Sequence, residues 1–222
     1  MTMLLRGTPH PGVATDLAER HTESAGTRTL TRPAIASKEE VGRRLRALRK
    51  SSKLTLKMLS EASGIPLSTI SKMELGQIAV SYEKFSAIAH ALNVDPSSLF
   101  DGSSASTEAR PTVVKSSAAS TAEYRSETYI HRMLAGDFPH KKMTPMQAQL
   151  LARDRSEFAD FIRHPGEEFV MVLSGTVRIE FETGESITLK RHESAYFNSS
   201  IGHIYLSVGR GNAEVVAVCT DK

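Results

Sequence analysis

Along this chain the spacing of apolar residues switches once, from a helical repeat to a two-residue repeat, at a stretch of small polar residues. Between residues 37 and 101 apolar side chains recur every three or four positions, which gives each short segment one buried helical face. After residue 123 they alternate or gather in short β-branched runs, as in TVRIEFE, GESITL, YIHRML and AEVVAV. Gly-containing turns at 174–175, 183–185 and 209–212 separate these runs, the spacing of an antiparallel sandwich or barrel. A chain of 222 residues is long enough for two small cores, so an all-α unit followed by an all-β unit is expected.

The boundaries follow from composition. Residues 1–36 are rich in Thr, Gly, Ala and Pro without apolar periodicity, and read as a mobile tail. GSSASTEARPTVVKSSAAS dominates a flexible linker at 102–122, leaving 37–101 as the helical domain and 123–222 as the β domain.

Five short helices are predicted in the first domain. SKEE reads as a capping box, with Ser37 serving the first turn and Glu40 reaching back, and Val41, Leu45 and Leu48 follow on one face. Thr55 caps a second helix with Leu59 and Ala62 inward, and Gly64 ends it. A third helix runs from about Leu67 to Leu75, with Gly76 as its stop. Ser81 opens a fourth that buries Phe85, Ile88 and Leu92, and Asp95-Pro96 begins a last turn.

Charge separates the two halves. The net charge is only +3, yet residues 38–57 hold eight Lys and Arg against two Glu, whereas residues 123–222 hold twelve basic and fourteen acidic groups. The helical half is therefore the one suited to a polyanion. No apolar run nears the roughly eighteen residues that span a bilayer, and MTMLLRGTPHPG lacks the pattern of a signal peptide. With a single cysteine, Cys219, these features make a cytoplasmic location the expectation. Cys219 itself reads as a small buried apolar residue.

LTLKMLSEASGIPLSTISKMELG, residues 54–76, resembles the helix-turn-helix of the Cro/phage-repressor-like, or XRE, regulators, and the likeness covers the whole five-helix, lambda-repressor-like segment. Its carriers are Thr55, the small Ser60 at the helix crossing, Gly64 in the turn, Ile65 and Ile70 as buried positions, and Glu74 with Gly76 at the close. The resemblance implies that the third helix enters the major groove of double-stranded DNA. Leu67, Ser68, Thr69 and Lys72 would then face bases, Ser71 would lie near a phosphate, and Arg43, Arg44, Arg46 and Lys57 would supply backbone charge. Leu56 departs from the pattern, which commonly has a polar residue there. Reading a pseudo-palindromic operator implies a homodimer.

HPGEEFVMVLSG, residues 164–175, resembles the first signature of the cupins, small jelly-roll barrels also described as double-stranded β-helices. His164, Glu168 and Gly175 fall on that pattern, whereas Ile162 stands where its first histidine would be. SITLKRHESAYFNSSIGHIYLSV matches the second signature and contributes His203. The resemblance implies a pocket with His164, Glu168 and His203, and with Ile162 at its edge. Two readings stay open: the three residues bind a divalent metal such as iron or zinc, or the pocket is metal-free, its histidines hydrogen-bonded and Glu168 paired with Arg153, Arg155 or Arg163. Strand parity places Tyr205 on the inner face with His203 and puts Glu167 outside; Tyr196 is placed with the pocket residues, and Phe197 is left between pocket and core.

The combination implies a sequence-specific transcriptional regulator, not an enzyme, whose cupin domain senses a small-molecule metabolite effector. The rival reading is a metal-dependent cupin enzyme, a dioxygenase or isomerase, that carries a DNA-binding module.

Overall fold

The computed structural model describes residues 35–101, 111–117 and 121–220. Five helices come first: α1 (Lys38–Ser51), α2 (Leu56–Ser63), α3 (Leu67–Glu74), α4 (Tyr82–Leu92) and α5 (Ser98–Asp101). Local signals start and stop them much as predicted. The Ser37 and Thr55 side chains accept from the amides of Glu40 and Met58, both at 3.1 Å. Gly64 ends α2 in the left-handed region at φ 70°. Ser60 Oγ donates to the Ile65 carbonyl at 2.7 Å, so the small residue at the crossing also ties down the turn. Two details differ from expectation. The Glu40 carboxylate does not reach back but pairs with Arg44 one turn ahead. Ala62 faces solvent, because Leu59 alone fills the inward stripe of this eight-residue helix.

α1 and α3 meet almost backbone to backbone. A Cβ on Gly42 would stand 2.3 Å from the Met73 carbonyl oxygen, so only glycine permits this approach. Beside it Arg49, one of the eight basic residues of 38–57, is buried and engages Glu74 on α3 through both nitrogens of its fork, while also donating to the Leu54 carbonyl at 2.8 Å. Arg49 is thus a strut between helices rather than a surface charge.

The β domain contains β2 (Glu123–Arg125), β3 (Tyr129–Met133), β4 (Met143–Leu150), β5 (Glu167–Ser174), β6 (Thr176–Phe181), β7 (Ser186–Lys190), β8 (Ser194–Asn198), β9 (His203–Val208) and β10 (Glu214–Thr220). One sheet has the order β2-β3-β4-β10-β5-β8, the other β7-β6-β9. Antiparallel pairing with alternating burial, clearest along β10 where Val215, Ala217 and Cys219 point inward, makes this the expected jelly-roll sandwich.

The independence of the two units is corrected. Ile35–Ala36, assigned to the tail, form β1 and pair in parallel with β2, so the residues leading into α1 extend the cupin sheet. The remainder of that tail, 1–34, and residues 102–110 and 118–120 of the linker lie outside the described residues. A single buried cluster runs from Val41, Leu45, Ile70, Phe85 and Leu99 into Tyr124, Met133, Met146, Ala217 and Cys219 of the sheet. Tyr124 packs edge-on against Phe85 with ring centroids 5.1 Å apart and its hydroxyl accepts from the Val80 amide. Lys141 adds a polar clamp, 3.1 Å from Asp95 beside α5. The helices are therefore docked on the sheet through this shared core. The reason is apolar area: α4 belongs to the bundle core and also meets β2 through Phe85 and Tyr124 and β3 through Tyr82 and His131.

Candidate functional site

Glu168 is the second residue of β5, and strand alternation turns it inward while Glu167 stays outside. His203 opens β9, and its amide and carbonyl pair with those of Ile162, each at 3.0 Å. His164 sits two residues beyond that bridge with its amide bonded to the Ser199 carbonyl at 3.0 Å. These contacts bring His164, Glu168 and His203 together although 39 positions separate the first from the last, and all three are almost fully buried.

Glu168 is the hub. Its Oε1 accepts from the Tyr205 hydroxyl at 2.6 Å, and its Oε2 lies 3.0 Å from His164 Nε2 and 3.4 Å from His203 Nε2. Burial alone would raise its pKa, but the hydrogen bonds and charge of the two histidines prevail and hold it at about 2, so it is an anion. Burial, and then the neighbouring Glu168 charge, push the Tyr205 phenol up, which keeps it a donor. The Tyr129 hydroxyl braces this tyrosine, accepting from its amide at 3.0 Å and donating to its carbonyl at 3.3 Å. The expected pairing of Glu168 with an arginine does not occur. Arg163 pairs with Asp160 and Glu182, Arg153 with the 209–212 turn, and Arg155 with the Phe158 carbonyl and the Phe161 ring.

These groups line a chamber of about 40 Å³, whose remaining walls include Ile162, Met146, Ala148, Leu150, Val215, Ala217 and Cys219. Tyr196 is corrected: it is 64% exposed and its hydroxyl donates to Glu167 on the outer surface. Phe197, its neighbour, packs against the β core and stands edge-on to His203 at 4.9 Å. Three aromatic lining residues were not foreseen. His131 and Tyr129 lie on β3 at alternate positions, and the two-residue period of YIHRML carried that signal. Tyr82 comes from α4, and nothing local in the sequence announces it. Its ring is edge-on to His164 at 5.1 Å and stacked over His131 at 6.3 Å between centroids.

The donor set fits a divalent cation. His203 Nδ1 faces the Ile201 carbonyl at 2.9 Å, and a carbonyl only accepts, so that nitrogen carries the proton and Nε2 is the ligating atom. His164 repeats this arrangement more weakly, with Nδ1 3.4 Å from the Pro165 carbonyl. A cation bound there would act as a Lewis acid toward anything entering the chamber.

On the helical half, Ser68, Lys72, Arg43, Arg46 and Lys57 are exposed, and Leu67 is 44% exposed. Thr69 and Ser71 are half-buried. Arg44 is tied to Glu40, and Lys57 lies 3.9 Å from Glu61 at the open surface. Leu56, where the resembling family is polar, packs against the helical core. No helix among the described residues is long and apolar enough to cross a membrane.

A helix-turn-helix family model matches residues 45–99 and a cupin domain model matches residues 155–219. Among solved structures, an HTH_3 family transcriptional regulator from Vibrio cholerae is 20% identical with a TM-score of 0.56, covering 83% of this chain and 97% of that one. Hydroxypropylphosphonic acid epoxidase from S. wedmorenis is 18% identical with a TM-score of 0.45, covering 83% of this chain and 98% of that one. No curated protein matches. The two domain matches support a DNA-binding regulator that carries a cupin domain.

Proposed function

We propose that this helix-turn-helix protein with a cupin domain is a sequence-specific transcriptional regulator, acting as a homodimer, whose chamber senses a small polar effector. The observation that carries the reading is Tyr82, a residue of the helix-turn-helix bundle that forms part of the chamber wall beside His164 and His131. A volume of about 40 Å³ holds an ion or a few waters. An organic effector needs more room, and the wall donated by α4 is the one whose retreat would move the DNA-reading helices. Such an effector binds one docking arrangement better than the other, which is the condition for coupling.

A binding role rather than catalysis is favoured by Glu168, the only carboxylate among the described residues that line the chamber, which is already engaged by Tyr205, His164 and His203. On the DNA side the exposed Leu67, Ser68 and Lys72 present the start of α3, flanked by Arg43, Arg46 and Lys57. A dimer matches the two half-sites of an operator.

The experiment is selection of duplexes from a random library, followed by binding isotherms at several salt concentrations. Affinity should fall steeply with salt, and Lys72→Ala should weaken the selected site by about 1–3 kcal/mol. Tyr82→Ala should keep duplex affinity while abolishing its response to metabolites that shift the wild-type isotherm. Failure of the chain to retain any duplex at low salt sinks the reading.

A further inference from the structure

Cys219 is the fifty-fifth residue after His164 and belongs to no motif shared with it, yet the sheet brings them together. In the β10–β5 ladder Cys219 is the cross-strand partner of Glu168, and both side chains point inward. Its sulfur, a carboxylate oxygen of Glu168 and a ring nitrogen of His164 all lie within 4.8 Å of one another, each on a buried residue. We propose that Cys219 is a metal ligand: with His164 and Glu168 it forms the inner triad of a thiolate-containing site for a zinc-type divalent cation, and His203 supplies the fourth ligand.

Two physical arguments support this. The first is orientation. His203 Nδ1 is committed to a carbonyl, so its Nε2 presents a lone pair toward Glu168 Oε2, itself an acceptor, at 3.4 Å. His164 Nε2 aims at the same oxygen from 3.0 Å. Acceptors converging on one point need either protons or a cation between them. Tyr205, bonded to the other carboxylate oxygen, leaves Oε2 aimed inward, the outer-sphere support that orients a ligating carboxylate. The second is charge. Met146, Ala148, Leu150, Val215 and Ala217 make the surrounding wall apolar, where an uncompensated ion is costly. A divalent cation with one carboxylate, one thiolate and two neutral imidazoles is electrically neutral. The thiol proton leaves to solvent as the metal–sulfur bond forms. A thiolate with imidazoles selects zinc-like ions over magnesium or calcium, and the chamber volume of about 40 Å³ accommodates such an ion.

The test is spectroscopic and uses Co²⁺ as the probe on the full chain stripped with chelator. Wild type should develop visible d–d bands of a tetrahedral ion together with a near-ultraviolet sulfur-to-cobalt charge-transfer band, and Zn²⁺ should bleach both. Cys219→Ser should lose the charge-transfer band and weaken Zn²⁺, measured against a competing chromophoric chelator, by more than ~100-fold, beyond the loss typical of an outer-sphere change. Visible bands without the charge-transfer band in wild type would show a metal held by other groups and overturn the assignment, as would no Co²⁺ uptake at all. The wild-type spectrum requires no variant, so it decides the matter even if the substituted chain misfolds. No DNA enters the measurement, so its failure is separate from failure of the regulator reading.

Discussion

At the scale of single residues the chamber is governed by Glu168, a buried anion that accepts from the Tyr205 hydroxyl and has His164 and His203 beside its other oxygen. Replacing Tyr205 by Phe keeps the ring but removes one donor, and urea unfolding should show a loss of about 1–3 kcal/mol. His131 has the opposite problem, since complete burial lowers its pKa from 6.5 to about 4 despite the attraction of Glu168. Between those two pH values the unfolded chain binds a proton that the folded chain refuses, so stability rises with pH there. It should be whole above about pH 6.5 and decline by roughly 3 kcal/mol as pH falls to 4. His131→Phe should flatten that part of the profile in denaturant titrations.

At the scale of elements α3, the second helix of the helix-turn-helix, is placed by its contact with α1. Gly42→Ala would drive a methyl group to 2.3 Å from the Met73 carbonyl, between two backbones that have nowhere to yield. Gly64→Ala meets no neighbour and incurs only the strain of a positive φ. Thermal unfolding should therefore separate the two, with a loss of about 3 kcal/mol or more for Gly42 and about 1–2 kcal/mol for Gly64. Equal effects would mean that the helices can slide apart without cost. The Arg49–Glu74 pair reinforces the same contact and takes Arg49 out of the charge available to a polyanion.

For the whole molecule, the consequence of a core that runs from Leu45 and Phe85 into Tyr124 and Ala217 is shared stability. Far-ultraviolet ellipticity, dominated by α1–α4, and the near-ultraviolet signal of the sheet tyrosines Tyr124, Tyr129 and Tyr205 should be lost in one transition. Two resolved transitions would contradict the continuous packing. The same continuity joins the helix-turn-helix bundle to the chamber wall, since Tyr82 belongs to both.

The amino-acid sequence by itself determined the helix starts at Ser37 and Thr55, the stop at Gly64, the strand parity that buries Glu168 and exposes Glu167, and the motif positions of His164 and His203. Those features depend on neighbours within a few positions, where period, caps and turns act. Tertiary structure alone decided that Ile35–Ala36 join the cupin sheet, that Tyr196 points outward, that Tyr82 closes the chamber and that Cys219 lies beside Glu168. Each of these depends on which strand becomes whose neighbour and which face of the bundle the sheet covers. Such choices arise from many weak burial terms summed across distant parts of the chain, and no local window contains them.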